Sequence, residues 1–400
     1  MSDLMARESA AIMPTYGRVP VTFVRGEGSW LFDEHGVAYL DCLSGLAVVG
    51  VGHANPTVAA AVAEQMTELV HVSNLYYTEP QVRLAEKLKQ ISGLDHVFFS
   101  NDGATANETA IKLARRWGQI SKGPDTYEVV SLMDSFHGRT LATLAATGQP
   151  AKQKTFEPLP TGFAQAKGHD PDTIASAVGP QTAAVMIETT QGEGGVVPFE
   201  VSYLQEIRAL CDELEILLIV DDVQAGMGRT GSWFSWQQLG FEPDIATVAK
   251  ALANGLPIGA CLAKQSASVF AAGDHATTFG GGPVICRAAL AVIEEMESRD
   301  VLANCVARSA QFSSGLSALD GVEFVRGRGL LLGAVLDEER ASEVTTAALQ
   351  NGLVVNAVRP DVVRFAPPLT ITEAETADAI SRFSTALAQR HSNPCNSNPG

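Results

Sequence analysis

Lys250 stands in "TVAKALANGLPIGA", a lysine set in otherwise uninterrupted apolar sequence. An ammonium group placed there loses its water and gives up its proton readily, which is how a Schiff-base lysine is made. Upstream, "LLIVDDVQAGMGRTG" ends an apolar run in Asp221 and Asp222 and continues into Gly226-x-Gly228-x-x-Gly231. As a dinucleotide loop this is weak, because "DDVQA" separates the glycines from the strand and no good helix pattern follows. As a metal site it is also weak. Neighbours on a regular strand face opposite sides, so both aspartates chelate only where the strand has already broken.

Three more clusters carry chemistry. "NDGATANETAIKLARR" places Gly103 and small residues where a helix begins, leaving backbone N–H groups free and the helix dipole favourable for a phosphate. The plainer reading is an Asn/Asp N-cap and turn. "DSFHGRT" contains Phe136, His137 and Arg139. A planar guanidinium beyond a strand end suits a carboxylate, although a surface arginine and a core phenylalanine are the simpler alternatives. "ETTQGEGG" adds Glu193.

The elements that must position these groups are short apolar runs at 96–100, 128–133, 183–187, 215–220, 245–249 and 258–263. Amphipathic helical patterns at 106–119 and 201–214 lie between some of them. Such alternation predicts an α/β fold with a mainly parallel sheet and helices on both faces. Ligands of open α/β sheets sit beyond the carboxyl ends of the strands, so the polar clusters are expected along one edge. Residues 1–60 read as an N-terminal arm in which "WLFDEHGVAYLDC" forms a hairpin turning at Gly36. Residues 61–285 read as the large domain, and 286–390, with "GLLLGAVL" and "VVRFAPPL", as a smaller α+β domain. The polar segment 391–400 reads as a frayed tail.

Bulk properties narrow the function classes. With 28 basic against 45 acidic residues the net charge is −17, which disfavours a nucleic-acid partner. Apolar residues make up 46% and charged residues 18%, as in a compact globular protein. The six cysteines form no C-x-x-C pair, so neither a disulfide framework nor a metal site is expected, and a reducing cytoplasm is. The N-terminus lacks the apolar core of a signal peptide, and no apolar run approaches the roughly 20 residues of a membrane span.

Read together, "SNDGATANETAIKLARR", "SFHGRTLATLAATGQPAKQKTFEPLP", "QGEGGVVP", "DDVQAGMGRTG", "PDIATVAKALANGLPIGACLA", "TTFGGGPVICRAALAV" and "VVRFAPPLTIT" resemble the class III aminotransferases, which use pyridoxal 5'-phosphate (PLP). Within that family they are closest to the acetylornithine aminotransferases. The resemblance runs from about residue 13 to 388. It implies a fold-type I homodimer with shared active sites, in which Lys250 holds PLP covalently and acts as general base and acid. Asp221 then pairs with the protonated pyridine nitrogen, Gln224 lies near the phenolic oxygen, and Phe136 stacks on the ring with His137 beside it. Gly103 and Ala104 offer N–H groups to the phosphate, which Thr278 reaches from the partner subunit. Arg139 clamps a substrate carboxylate and Tyr16 lines the substrate pocket. Arg364 receives the α-carboxylate of glutamate, and Glu193 covers that arginine when the other substrate is bound.

The implied reaction moves the terminal amine of N-acetylornithine to 2-oxoglutarate. Ornithine, succinylated ornithine or diaminopimelate, 4-aminobutyrate and acylated lysine are the rival donors. A PLP-binding protein without turnover, or an oxidoreductase using the glycine loop, are readings from other classes. The chain departs from the family pattern at six positions: Asp102 for serine, Thr105 for glutamate, Thr189 for proline, Asp222 for glutamate, Ala276 for glycine and Gly282 for asparagine. A carboxylate at 102 is expected to repel a phosphate dianion unless it turns away or is protonated.

Overall fold

The computed structural model describes residues 3–389. The segment read as a tail, 391–400, lies outside them. Every predicted apolar run forms a strand of one seven-stranded sheet. These are β1 (His96–Ser100), β2 (Glu128–Leu132), β4 (Thr182–Ile187), β5 (Leu217–Asp221), β6 (Ile245–Val248) and β7 (Gly259–Ala263). The seventh strand, β3 (Phe163–Ala166), was not predicted. It pairs only with β2, at the sheet edge, and three of its four residues are half-buried, so it carries little apolar signal. The order is β1-β7-β6-β5-β4-β2-β3, parallel throughout except for β7, which runs antiparallel to both neighbours.

The inner strands of the sheet are dry on both faces. Val185 and Ile187 of β4 join Leu218 and Val220 of β5 in one core cluster, while Ala184, Met186, Leu217 and Ile219 join the other. Side chains alternate across a strand, and two covered faces make each strand apolar without interruption. That is why these runs were legible. Helix α1 (Gly103–Ser121) starts just beyond β1 and packs Ala110, Ile111, Leu113 and Ala114 into the second cluster.

A second, antiparallel sheet comprises β8 (Val322–Arg328), β9 (Leu331–Leu336), β10 (Asn356–Arg359) and β11 (Val362–Phe365), in the order β8-β9-β11-β10. Helices Val301–Ser317 and Glu373–Ala388 cover it, with Phe365 against Phe312 and Phe383 at 5.7 and 5.0 Å between ring centroids. The N-terminal hairpin forms as expected from Trp30–Asp33 and Ala38–Asp41, with Gly36 at φ +80° in its turn. Its second strand pairs with Leu353–Val354, which binds the N-terminal segment to the C-terminal region.

"GMGRTG" is a turn-rich segment between these parts. The fully buried Arg229 donates from Nη1 to the carbonyls of Leu330 (3.0 Å) and Pro367 (2.6 Å), and burial lowers its pKa to about 10. Among the described residues, no helix is long and apolar enough to cross a membrane.

Candidate active site

The carboxyl ends of β1, β2, β4, β5 and β6 converge, as the edge rule requires, on a cavity of about 310 Å³. Asp221, the last residue of β5, is 4% exposed and forms its centre. Its Oδ2 lies 2.7 Å from His137 Nδ1 and accepts from Asn107 Nδ2 at 2.7 Å. Asn107 also donates to the His137 carbonyl at 2.7 Å, and its Oδ1 accepts from Thr247 Oγ1 at 2.6 Å. Asp221 Oδ1 accepts from the Val223 N–H at 3.1 Å. Four residues, from α1, the loop after β2, the turn after β5 and β6, thus lock one buried carboxylate in place. A buried charge held by several donors is preorganised rather than merely tolerated.

These contacts move the neighbours' proton affinities. Burial alone presses the His137 imidazole down, but the hydrogen bond and charge of Asp221, with Glu188, more than offset it and hold His137 above its ordinary pKa. Burial pushes the Glu188 carboxyl up to about 7, where His137 opposes the shift and Asp221 adds to it. Lys250 lies two residues beyond the end of β6 at Val248 and sits at φ +41°, the left-handed region. Its burial lowers the ammonium pKa to about 8, against the pull of Glu193. The amine is therefore neutral for a useful fraction of the time near neutral pH.

The outer side of the cavity holds an ion pair. Arg364 on β11, 1% exposed, donates from Nη1 to Glu193 Oε1 at 2.6 Å and to Gln224 Oε1 at 3.4 Å, and from Nε to Asn356 Oδ1 at 3.1 Å. Burial raises the Glu193 pKa, but the charge and hydrogen bond of Arg364 prevail and leave it below its usual value. Phe136 forms one wall, anchored by its N–H donating to Glu188 Oε2 at 3.0 Å. The Arg139 guanidinium lies 5.6 Å from the Phe136 ring centroid, exposed at the rim.

The aminotransferase class-III family matches residues 11–387. The chain belongs to the class-III aminotransferases. It is 48% identical over 383 residues to an acetylornithine aminotransferase of Gloeobacter violaceus, covering 94% of this chain and 96% of that one. The N-acetylornithine aminotransferase structure from Stenotrophomonas maltophilia superposes with a TM-score of 0.83 at 34% identity, over 96% and 98% of the two chains. An ornithine aminotransferase structure from Toxoplasma gondii, described as having partial PLP occupancy at its active site, gives a TM-score of 0.92 at 29% identity, over 96% and 94%. This class-III aminotransferase accordingly has the α/β fold-type I architecture that its sequence implied.

Four of the six departures from the family pattern fall in two clusters, Asp102 with Thr105 and Thr189 with Asp222 through Ser235. Asp102 is the N-cap of α1, where Oδ1 accepts from the Thr105 N–H at 2.8 Å and Thr105 Oγ1 accepts from the Asp102 N–H at 3.0 Å. Serine and glutamate in the family pattern put the hydroxyl at the cap and the acid three residues on; here the two groups have exchanged places and still close a capping box. The Asp102 carboxylate therefore serves the first turn of its own helix, although the residue still borders the cavity. In the interior, Thr189 Oγ1 donates to Ser235 Oγ at 2.7 Å, and Asp222 Oδ2 accepts from the Ser235 N–H at 2.8 Å. Asp222 thus faces away from Asp221's partners, as strand alternation demands. Burial raises its pKa to about 7; Ser235 opposes the shift and Asp221 contributes to it. Gly282 caps helix Pro283–Ser298 without a side-chain hydrogen bond, a bond asparagine could make. No contact explains Ala276.

Of the candidate site residues, Gly103, Ala104, Phe136, His137, Arg139, Glu193, Asp221, Gln224 and Lys250 line the cavity, and Arg364 joins it through its ion pair. Tyr16 and Thr278 do not line it within this chain. Tyr16 is exposed beside Arg18, and Thr278 borders a separate cavity with Ser73, Leu75 and Phe98. Sequence reading missed Asn107 and Glu188. Glu188 opens "ETTQGEGG" directly after β4, where its place at the strand end was the signal that Glu193 drew attention from. Asn107 lies one turn after Gly103 on α1, with no local signal to separate it from a capping residue.

Proposed function

We propose that this chain transfers the terminal amine of N2-acetyl-L-ornithine to 2-oxoglutarate, giving N-acetyl-L-glutamate 5-semialdehyde and L-glutamate in arginine biosynthesis, with PLP as cofactor. The observation that carries the two-substrate part is the Glu193–Arg364 pair at 2.6 Å beside Lys250. One substrate presents an amine where the other presents a carboxylate. A glutamate able to cover or leave one buried arginine lets a single site accept both.

The residues fit PLP. Asp221 suits a protonated ring nitrogen, Phe136 offers a ring face, and the start of α1 offers N–H groups to a phosphate. A Cβ at Gly103 would come within 2.6 Å of Val223, so the tight approach of loop and strand end admits only glycine there. Gln224 Nε2, buried at the cavity, has no partner among the described residues and is free for a ligand oxygen. When bound, PLP supplies the electron sink that stabilises charge at the carbon bearing the amine. Lys250 would hold the cofactor between turnovers, and its Nζ would take the proton from that carbon and deliver it to the carbon of the cofactor that receives the amine. Arg139 orients the donor's carboxylate, and Tyr16 lines the donor side.

In this reading the enzyme is a cytoplasmic homodimer, with Thr278 completing the partner's phosphate site. Leu75, Tyr76, Tyr77 and Phe279 support it: each is at least 68% exposed, more apolar surface than an isolated subunit leaves uncovered without reason. The five cysteines among the described residues are unpaired and buried, as suits a reducing compartment.

The test is a panel of amine donors with 2-oxoglutarate. N-acetylornithine should give the highest kcat/KM; a rival donor better by more than about tenfold would overturn the donor assignment. Lys250→Ala should lower turnover by about 10⁴-fold or more and remove the yellow colour of the purified protein. Retained activity would overturn the lysine's role.

A further inference from the structure

The Glu193–Arg364 pair is built on one short strand. At one end of β10, Asn356 Oδ1 accepts from Arg364 Nε at 3.1 Å, and the two residues are register partners across β10 and β11. At the other end, Arg359 Nε donates to the Gly194 carbonyl at 3.0 Å, and its Nη2 donates to Asp134 Oδ1 at 2.6 Å. Arg326 on β8 donates from Nη2 to the Gly195 carbonyl at 2.8 Å. Gly194 and Gly195 directly follow Glu193, and the turn closes on itself through the Val196 N–H donating to the Gly192 carbonyl at 3.2 Å.

The turn has no slack. Gly195 sits at φ +112°, and a Cβ there would meet Arg359 Cγ at 3.0 Å; a Cβ on Gly194 would meet the Asp134 carbonyl at 2.8 Å. Its backbone is gripped by two guanidinium groups, while the Glu193 side chain, 29% exposed, keeps room to rotate. Arg364 is 1% exposed and cannot move far.

We propose that β10 is the frame of the substrate gate and that Arg359 is a positioning residue for substrate discrimination. Asn356 fixes Arg364, and Arg359 fixes the turn from which Glu193 swings. The glutamate then opens and closes by side-chain rotation over a stationary backbone. This rests on the two-substrate reading of that pair. A carboxylate substrate displaces Glu193 from Arg364, whereas the amine donor needs Glu193 in place to cover the buried charge. Loosening the turn depopulates the covered state, so it penalises the donor and spares the acceptor.

The experiment uses holoenzyme with N-acetylornithine and 2-oxoglutarate, and measures both KM values, kcat and amide exchange across 192–196. Arg359→Met should raise the donor KM roughly three- to tenfold, leave the 2-oxoglutarate KM within about twofold or lower it, and accelerate exchange in the turn. Arg359→Lys should return the donor KM towards wild type, since one charged donor is kept. Asp134→Asn should raise the donor KM by about twofold, and reads the same contact should Arg359→Met fold poorly. Both KM values rising together, or kcat falling with both unchanged, would overturn the frame. Glu193→Ala separates the causes. If it splits the two KM values and Arg359→Met does not, the frame alone fails; if it does not split them, the gate reading fails and takes the frame with it.

Discussion

Two polar clusters near the cavity contain departures from the family pattern, and they answer to different physics. Asp102 and Thr105 meet at the exposed start of α1, three residues apart, with every hydrogen bond made inside one turn of chain. Thr189, Ser235 and Asp222 meet in the interior, with Thr189 and Ser235 46 positions apart in sequence, and none is more than 2% exposed. In the first, water and the helix N-terminus stabilise a carboxylate whatever its neighbours do. In the second, a carboxyl without water keeps its proton until its partners or the pH force it off. Exchanging an acid and a hydroxyl between positions 102 and 105 is therefore a small change at the helix start, whereas a change at the buried carboxyl behind Asp221 is a large one.

The larger expected effect is at Asp222. Its native pKa of about 7 stands above the ordinary 3.8, so between those values the folded protein holds a proton that the unfolded chain releases. Stability from this group is complete below about pH 4, falls as pH rises, and is lost above about 7. Asp222→Asn keeps an acceptor for the Ser235 N–H and cannot ionise. Relative to wild type, the variant should gain about 2–3 kcal/mol between pH 5 and pH 8, close to a hundredfold change in the unfolding equilibrium. Guanidinium unfolding of the apo-protein at the two pH values reads this directly. Parallel wild-type and variant curves would mean that Asp222 is ionised in the fold, and the contrast between the clusters would disappear.

The same contrast explains what the sequence disclosed. The inner strands of the central sheet were legible because both faces are dry, and Asp221 and Lys250 because strand ends are where chemistry gathers. Glu193 and Arg364 came from the family resemblance, with only their distance left to the fold. β3 and β10 were not legible, since a partly exposed edge strand such as "NAVR" has no continuous apolar run. Nor was the Asp222 network. Nothing local to Thr189 or Ser235 marks either as the other's partner; only the pairing of β4 with β5 and the course of the glycine-rich turn bring them together. Asn107 shows the same limit: its position on α1 is readable, but its grip on Asp221 depends on how α1 packs across the sheet.

The smaller effect is at Asp102, where the comparison is sharpest because the carboxylate has two duties. As the N-cap it stabilises α1, and as an anion beside Gly103 and Ala104 it would oppose a phosphate bound at the same helix end. Serine caps about as well as aspartate, so Asp102→Ser retains the first duty and removes the second. The carboxylate is solvated and already accepts from the Thr105 N–H, which limits its reach towards a phosphate. The apo-protein carrying Asp102→Ser should bind PLP about threefold more tightly at low salt, a gain of less than about 1 kcal/mol. At 1 M salt, where screening acts within about 3 Å, the two proteins should bind alike. Fluorescence titration of both apo-proteins at the two salt concentrations tests this. Equal affinity at low salt would mean that the capping hydrogen bonds have taken the carboxylate out of the phosphate's field, leaving the exchange with Thr105 electrostatically silent.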